Sequence, residues 1–248
     1  MGISINLPGS YGVIQQGFNF TIPDGYTVLV GRNDAGKSSL LQLMFKTLHE
    51  GTIPKDRFCL LLPERIFIEP TLEVGGSNLI QYNQNLFNQL QHNPLPYHGQ
   101  THNSQSAFKL LISNHRQRLQ LNTSDHLLEK LGFSSLDITQ GNQVIIDNIN
   151  IGKHGSGLRT ILPIIAVLTD PNIEYVLIDE PEQSLEPAIQ KYVREMLYEY
   201  AQHKQIIVTT HSHLFLNRKN LQSNYIVART ANGVDLTQVQ SAIEMYDL

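Results

Sequence analysis

The chain has 248 residues, of which 41% are hydrophobic and 16% are charged, and its formal net charge is −4. This weakly acidic balance excludes a general binder of polyanions, so any contact with nucleic acid would need a local basic patch. The single cysteine, Cys59, excludes a disulfide framework, and no apolar run reaches the length of about 18 residues that membrane insertion needs. We therefore expect a cytoplasmic α/β protein.

The first elements of the chain predict a small antiparallel layer beside a parallel core. Apolar and polar side chains alternate over residues 3–7 and again over residues 18–22, which is typical of half-buried strands. Largely apolar runs at residues 26–30 and 57–62 predict buried strands. The chain therefore begins as a mixed sheet structure.

The strand at residues 26–30 leads into Gly-Arg-Asn-Asp-Ala-Gly-Lys-Ser, and an apolar helical pattern follows over residues 39–45. This G-x-x-x-x-G-K-S spacing between a strand and a helix indicates a phosphate-binding loop (P-loop). Its glycines let main-chain N–H groups approach phosphate oxygens, and the helix start adds partial positive charge. We expect a nucleoside triphosphate to be bound by Gly31, Arg32, Asn33, Asp34, Ala35, Gly36, Lys37, Ser38 and Ser39.

Two residues of this loop have specific predicted roles. Lys37 is expected to reach the β- and γ-phosphates and to assist catalysis there, and the Ser38 hydroxyl is expected to hold Mg2+. Nearby, Tyr11 or Phe18 could stack on the nucleobase, although both rings could equally belong to the core.

A change of composition marks residues 70–140, which are rich in Asn, Gln, His and Ser. Helical patterns occur within this segment at residues 78–91 and 105–131. We interpret the segment as a helical insertion in a single domain, whose core lobe comprises residues 1–69 and 141–248.

The histidines and basic residues of the insertion raise two hypotheses, that it holds a metal ion and that it contacts nucleic acid. Its five histidines match no zinc-ligand spacing and have no cysteine partner, so we expect solvated side chains rather than a metal site. Lys109, Arg116 and Arg118 could face nucleic-acid phosphates, although a solvated face is the simpler interpretation.

The second half of the chain predicts a mainly parallel sheet, because buried strands alternate with helices. Helices are predicted over residues 158–168 and from Pro187 onward. Strands are predicted at residues 143–149, 175–178, 205–210, 225–229 and 234–239, the last two as a hairpin.

Two strand ends in this half carry the predicted catalytic side chains. The strand at residues 175–178 is followed by Asp179, which we expect to hold Mg2+, and by Glu180, which can polarise an attacking water as general base. The next strand is followed by His211, which can contact the γ-phosphate and sense its loss. The alternatives are an acidic strand end that faces solvent and a structural histidine.

The order of these motifs resembles that of the ABC ATPase superfamily, and most closely its soluble RecF/SMC/OLD-like branch (the AAA-15/AAA-21 type). The resemblance rests on the P-loop, Asp179-Glu180-Pro181-Glu182, Ser184-Leu185-Glu186-Pro187 and Thr209-Thr210-His211-Ser212. It implies a P-loop ATPase fold in which two domains dimerise head to tail and each completes the other's ATP site. The completing signature loop would be Gly155, Ser156 and Gly157, with Arg159.

The chain departs from the family pattern at three positions. The signature loop lacks the usual Leu-Ser-Gly-Gly-Gln form, and Glu64-Arg65 stand where the glutamine of a Q-loop is expected. The aspartate of the D-loop is also absent, with Glu186 nearby as a possible substitute.

The resemblance leads to a functional expectation. We expect an ATPase that binds and hydrolyses ATP with Mg2+ at the interface of a homodimer. By resemblance, such a protein would drive or gate a separately encoded effector in bacterial DNA repair or anti-phage defence. The alternatives are the nucleotide-binding subunit of a membrane ABC transporter and a low-turnover, ATP-dependent scaffold.

Overall fold

A computed structural model describes most of the core lobe and, within the predicted insertion, one helix and one short strand. The described residues are 3–7, 9–63, 79–91, 129, 131–138, 144–231 and 233–241. The helical pattern at 105–131 lies almost entirely outside them, as do the five histidines, the three basic residues of the insertion, and Glu64-Arg65.

The core is a six-stranded sheet of β3 (Tyr26–Val30), β4 (Phe58–Leu61), β8 (Tyr175–Asp179), β9 (Gln205–Thr210), β10 (Asn224–Thr230) and β11 (Gly233–Gln238). Their order across the sheet is β11-β10-β3-β9-β8-β4. Neighbouring strands are parallel except for β10 and β11, which form the predicted antiparallel hairpin. Every residue of β3, β4, β8 and β9 is buried, as expected for parallel strands that are covered on both faces.

Four described helices cover this sheet. They are α1 (Lys37–Glu50), α2 (Leu79–Leu90), α3 (Ser156–Thr169) and α4 (Pro187–Tyr200). The helix α1 packs on β4, β8 and β9 through a face that includes Leu40, Met44 and Phe45. The helix α4 begins at Pro187, which fits the first helical turn because that position needs no main-chain N–H donor.

Two small antiparallel sheets flank the core. The predicted layer is confirmed as β1 (Ile3–Asn6) paired with β2 (Asn19–Ile22). The second sheet consists of β5 (Leu136–Ile138), β6 (Val144–Ile146) and β7 (Ile149–Asn150), in that order.

The prediction of one strand over residues 143–149 was wrong. Asp147 and Asn148 have φ values of 47° and 64°, and they form a two-residue turn between β6 and β7. Asp and Asn tolerate positive φ better than other non-glycine residues, so this pair ends the strand and starts a hairpin. The strand β5, which pairs with β6, was not predicted.

The mainly parallel sheet, the antiparallel layer and four of the predicted helices are therefore present in the described residues, whereas the helical pattern at 105–131 is not tested. Within the ranges given above, no helix combines the length and the apolar character needed to cross a membrane.

Candidate functional site

A cleft of about 640 Å³ opens at the carboxyl ends of β3, β8 and β9. Its size is typical of sites that bind small molecules, and the carboxyl edge of a parallel sheet is the usual position for a ligand. The cleft is lined by residues 33–39, Val13, Glu180, His211 and Arg229. The structure therefore brings seven of the nine predicted P-loop residues together with Glu180 and His211.

Close packing against Val227, Val234 and Val13 restricts the shape of the P-loop. Gly31 follows β3, and a Cβ atom at this position would overlap the carbonyl oxygen of Val227. Gly36 caps α1 with a φ of 99°, and a Cβ there would lie 2.7 Å from a methyl group of Val234 and 3.0 Å from one of Val13. Both glycines are thus required by the backbone conformation or by the space available.

Lys37 is the cation at the floor of the cleft. Its Nζ donates hydrogen bonds to the carbonyl oxygens of Gly31 and Arg32, both at 3.0 Å, and lies 3.4 Å from Nδ1 of His211. The side chain is only 5% exposed, and this burial lowers the pKa of Lys37, while the nearby carboxylates of Glu180 and Asp179 oppose the shift. A buried ammonium group at the P-loop can attract the phosphates of a nucleotide.

Ser38 and Asp179 lie side by side, although 141 residues separate them in the sequence. The Ser38 hydroxyl donates to Oδ1 of Asp179 at 3.1 Å, and the Thr209 hydroxyl donates to the same oxygen. A carboxylate beside a hydroxyl is a donor set that suits a hard cation such as Mg2+. The donors therefore fit Mg2+, which commonly takes its remaining ligands from water and from phosphate oxygens.

The described residues contain no cluster of three or more His, Cys, Asp or Glu side chains placed to hold a metal ion. A magnesium ion held by Ser38 and Asp179 would take its other ligands from a nucleotide and water, as in P-loop NTPases.

Glu180 and His211 form a close hydrogen-bonded pair next to Lys37. Nε2 of His211 lies 2.7 Å from Oε1 of Glu180, and the Glu180 side chain is 15% exposed. The pair forms because β8 and β9 are neighbours, with Asp179 opposite Thr209. The Glu180 main-chain N–H donates to the carbonyl and hydroxyl oxygens of Thr209, which holds Glu180 at a φ of 48°. A carboxylate in this position can accept a proton from a water molecule in the cleft.

The predicted signature loop lies away from this cleft. Gly155, Ser156 and Gly157 begin α3, but none of them lines the cleft. A Cβ on Gly157 would lie 3.2 Å from the carbonyl oxygen of Ser184, so the start of α3 packs on the turn that follows β8. Beside Gly155 there is open space, with no neighbouring atom within 4 Å of a Cβ.

The two candidate rings for base stacking are not in the cleft either. Tyr11 is 2% exposed and belongs to the core, and Phe18 packs against Phe20 with ring centroids 6.4 Å apart. The core alternative is therefore the correct one for Tyr11. Instead of either ring, the cleft has Val13 and Arg229, which the sequence analysis did not identify.

Two further residues were named in the sequence analysis only as parts of motifs, without a role in the site. Thr209 binds Asp179, and Glu182 binds the main chain of His211. The threonine pair at the end of β9 was a visible signal, because strand pairing places these hydroxyls beside the acidic strand end. Nothing local in the sequence pointed to Val13 or Arg229.

Comparison with known proteins identifies one family and one fold. The family described as "AAA domain, putative AbiEii toxin, Type IV TA system" matches residues 64–217, which include Asp179, Glu180 and His211 but not the P-loop. Comparison with curated proteins gives no match.

Two solved structures resemble the whole chain. An SMC head bound to the C-winged helix domain of ScpA has a TM-score of 0.58 and 13% identity, covering 99% of each chain. A Smc head domain with an extended coiled coil, bound to the C-terminal domain of ScpA and derived from Pyrococcus furiosus, has a TM-score of 0.57 and 10% identity. This match covers 99% of the present chain and 98% of the Smc head domain chain. At these identities the likeness shows the fold alone.

Proposed function

The chain belongs to the AAA-domain family described for AbiEii-type toxins and has the ABC/SMC-like P-loop ATPase fold, and from this premise we propose that it hydrolyses ATP with Mg2+. The observation that carries the proposal is the arrangement of Lys37, His211 and Glu180 in one row above the P-loop. Beside this row, the hydroxyl of Ser38 meets the carboxylate of Asp179.

Each part of the site has a chemical role in this proposal. The main-chain N–H groups of residues 31–39 and the ammonium group of Lys37 bind the phosphates. Ser38 and Asp179 would hold Mg2+, which would neutralise phosphate charge and orient the phosphate oxygens. Glu180 accepts the proton of the attacking water, and His211 holds the Glu180 carboxylate in place.

We also propose that two copies of the chain dimerise head to tail through their ATP sites. Gly155, Ser156 and Gly157 do not reach the cleft of their own protomer, and the space beside Gly155 is open. A helix start without a side-chain cap and with open space beside Gly155 is suited to a γ-phosphate presented by a second copy. The dimer would form with ATP and open after hydrolysis.

The output of this cycle would go to another protein. The family description names a toxin of toxin–antitoxin systems, which favours a defence role over DNA repair. The two SMC head structures described above have a bound ScpA domain, which supports a fold that can bind a protein partner. We therefore propose an ATPase that acts with a separately encoded effector in bacterial defence.

Replacement of Glu180 by Gln tests hydrolysis and dimerisation together. We expect the E180Q variant to lose about 100-fold or more in ATP turnover, because the general base is removed while the shape is kept. It should still bind ATP and should accumulate as an ATP-bound dimer, measured by light scattering after size exclusion. The matched control is E199Q, which changes an exposed glutamate on α4. Equal turnover in the wild type and E180Q would instead support the low-turnover scaffold.

A further inference from the structure

Glu182 has a carboxylate that the proposed reaction does not use. One oxygen, Oε1, accepts two hydrogen bonds of 2.7 Å, one from the Thr210 hydroxyl and one from the main-chain N–H of His211. The other oxygen, Oε2, is buried and makes no hydrogen bond to the described residues. Such a buried carboxylate is unfavourable unless its hydrogen bonds stabilise a specific arrangement.

Glu182 and Glu180 hold His211 from two sides. Oε1 of Glu180 lies 2.7 Å from the ring Nε2, and Oε1 of Glu182 accepts from the main-chain N–H of the same histidine. Both carboxylates come from the turn that follows β8. This turn is closed by hydrogen bonds from Gln183 N to Glu180 O (3.2 Å) and from Leu185 N to Glu182 O (3.0 Å).

Glu182 contacts the chain at the point where β9 ends. Thr210 is the last residue of β9, and its hydroxyl also accepts a hydrogen bond of 2.9 Å from Ser212 N. Glu182 therefore fixes the chain on both sides of the bond between Thr210 and His211. A fixed main chain here keeps the imidazole between Nζ of Lys37 and the carboxylate of Glu180.

We propose that Glu182 is a positioning residue, which sets the main chain of His211 so that the imidazole stays hydrogen-bonded to the Glu180 carboxylate. This inference rests on the proposed function, because it takes His211 to act in ATP hydrolysis. The carboxylate is needed as a hydrogen-bond acceptor rather than as a charge. A glutamine can therefore replace it, since its carbonyl oxygen accepts the same two hydrogen bonds.

A double-mutant cycle tests the proposal through steady-state ATP hydrolysis. The variants are E182A, E182Q, H211A and the E182A/H211A double variant, with E199A as the matched control on the surface of α4. We expect E182A to lower kcat on the order of tenfold with little change in KM, because a misplaced group slows the chemical step. E182Q should keep most of the wild-type kcat, and the double variant should be no slower than H211A.

Three results would overturn the proposal. If the E182A loss multiplied with the H211A loss, Glu182 would act independently of His211. If E182Q were as slow as E182A, the charge and not the hydrogen bonds would matter. An equal loss in E199A would show a general effect of removing acidic side chains. Should E182A fail to fold, T210V replaces it in the cycle, because it removes one of the two donors to Glu182 and keeps the other.

A second measurement separates this proposal from the proposed function. The imidazole nitrogen signals of His211, assigned by their loss in H211A, can be followed by NMR without nucleotide. We expect E182A to shift or broaden them and E182Q to leave them near their wild-type positions. If the wild type hydrolysed no ATP, the proposed function would fail while this spectrum still decided the positioning role. Unchanged His211 signals in E182A would contradict that role.

Discussion

The replacement of Gly36 by Ala perturbs the P-loop in two ways that can be separated. The residue has a φ of 99°, a conformation that costs an L-residue about 1–2 kcal/mol. The new Cβ would also lie 2.7 Å from a Val234 methyl group and 3.0 Å from a Val13 methyl group, and such overpacking typically adds about 1–3 kcal/mol. We therefore expect G36A to lower the free energy of unfolding by roughly 2–5 kcal/mol.

Gly17 provides the matched control for this variant. Its φ is 83°, but no atom lies within 4 Å of a Cβ built on it. The G17A variant should therefore lose only the backbone contribution of about 1–2 kcal/mol. The difference between G36A and G17A isolates the crowding of the P-loop against β11 and the turn that contains Val13.

The free energies can be measured by urea unfolding with two probes. One is circular dichroism, and the other is the reaction of Cys59 with a thiol reagent. Cys59 is the single cysteine of the chain and lies fully buried in β4, and burial raises the pKa of its thiol. The thiol should therefore react only in molecules that have opened. Calorimetry should show that G36A loses at least about tenfold in ATP affinity and that G17A does not, since only G36A deforms the phosphate-binding backbone.

The reasoning would be refuted by equal stability of the two variants. If G36A and G17A differed by less than about 0.5 kcal/mol, Val234 and Val13 would not constrain the P-loop. Unchanged ATP affinity in G36A would show that the loop tolerates a side chain where the structure leaves no space for one.

Two further predictions concern side chains in the cleft. Burial lowers the pKa of Lys37 below its ordinary value of 10.5, so the unfolded chain binds this proton more tightly than the folded protein does. The stability of the wild type relative to K37M should therefore rise as the pH rises from that lowered pKa to 10.5, and a constant difference in urea unfolding would contradict this. Among the described residues, no aromatic side chain other than His211 lines the cleft, but Arg229 does. We therefore expect the Arg229 guanidinium to stack on the nucleobase. R229A should weaken ATP binding by about 3- to 30-fold in calorimetry, whereas R218A, which changes an exposed arginine outside the cleft, should bind like the wild type.

The parts of the fold that depend on residues close together in the sequence could be predicted from it. The strand, loop and helix at residues 26–45 have a local pattern, and the structure confirms them as β3, the P-loop and α1. The turn at Asp147 and Asn148 was missed because an apolar run continues on both sides of it. The positive φ values of these two residues are seen only in the structure, in which β7 pairs with β6.

The parts of the site that depend on strand order could not be predicted in the same way. The sequence indicated Asp179 and His211 through their strand ends, and the register of β3, β8 and β9 brings those ends to one edge of the sheet. Val13 and Arg229 reach the cleft because the β10–β11 hairpin packs on the P-loop and on the turn before β2. That packing joins residues about 200 positions apart, and no local pattern records it.

The position of β3 in the sheet also affects how the protein is made. The strand is synthesised at residues 26–30, but its two neighbours are β9 and β10, which begin at Gln205 and Asn224. At about 5–20 residues per second, a nascent chain carries this apolar strand for roughly 10–40 s before either partner leaves the ribosome. During that interval the P-loop lacks the contacts with Val227 and Val234 that restrict its shape in the folded protein. ATP binding would then become possible only after the strands β9, β10 and β11 have been synthesised. A chain whose synthesis stops earlier would instead expose the apolar strand β3 to chaperones.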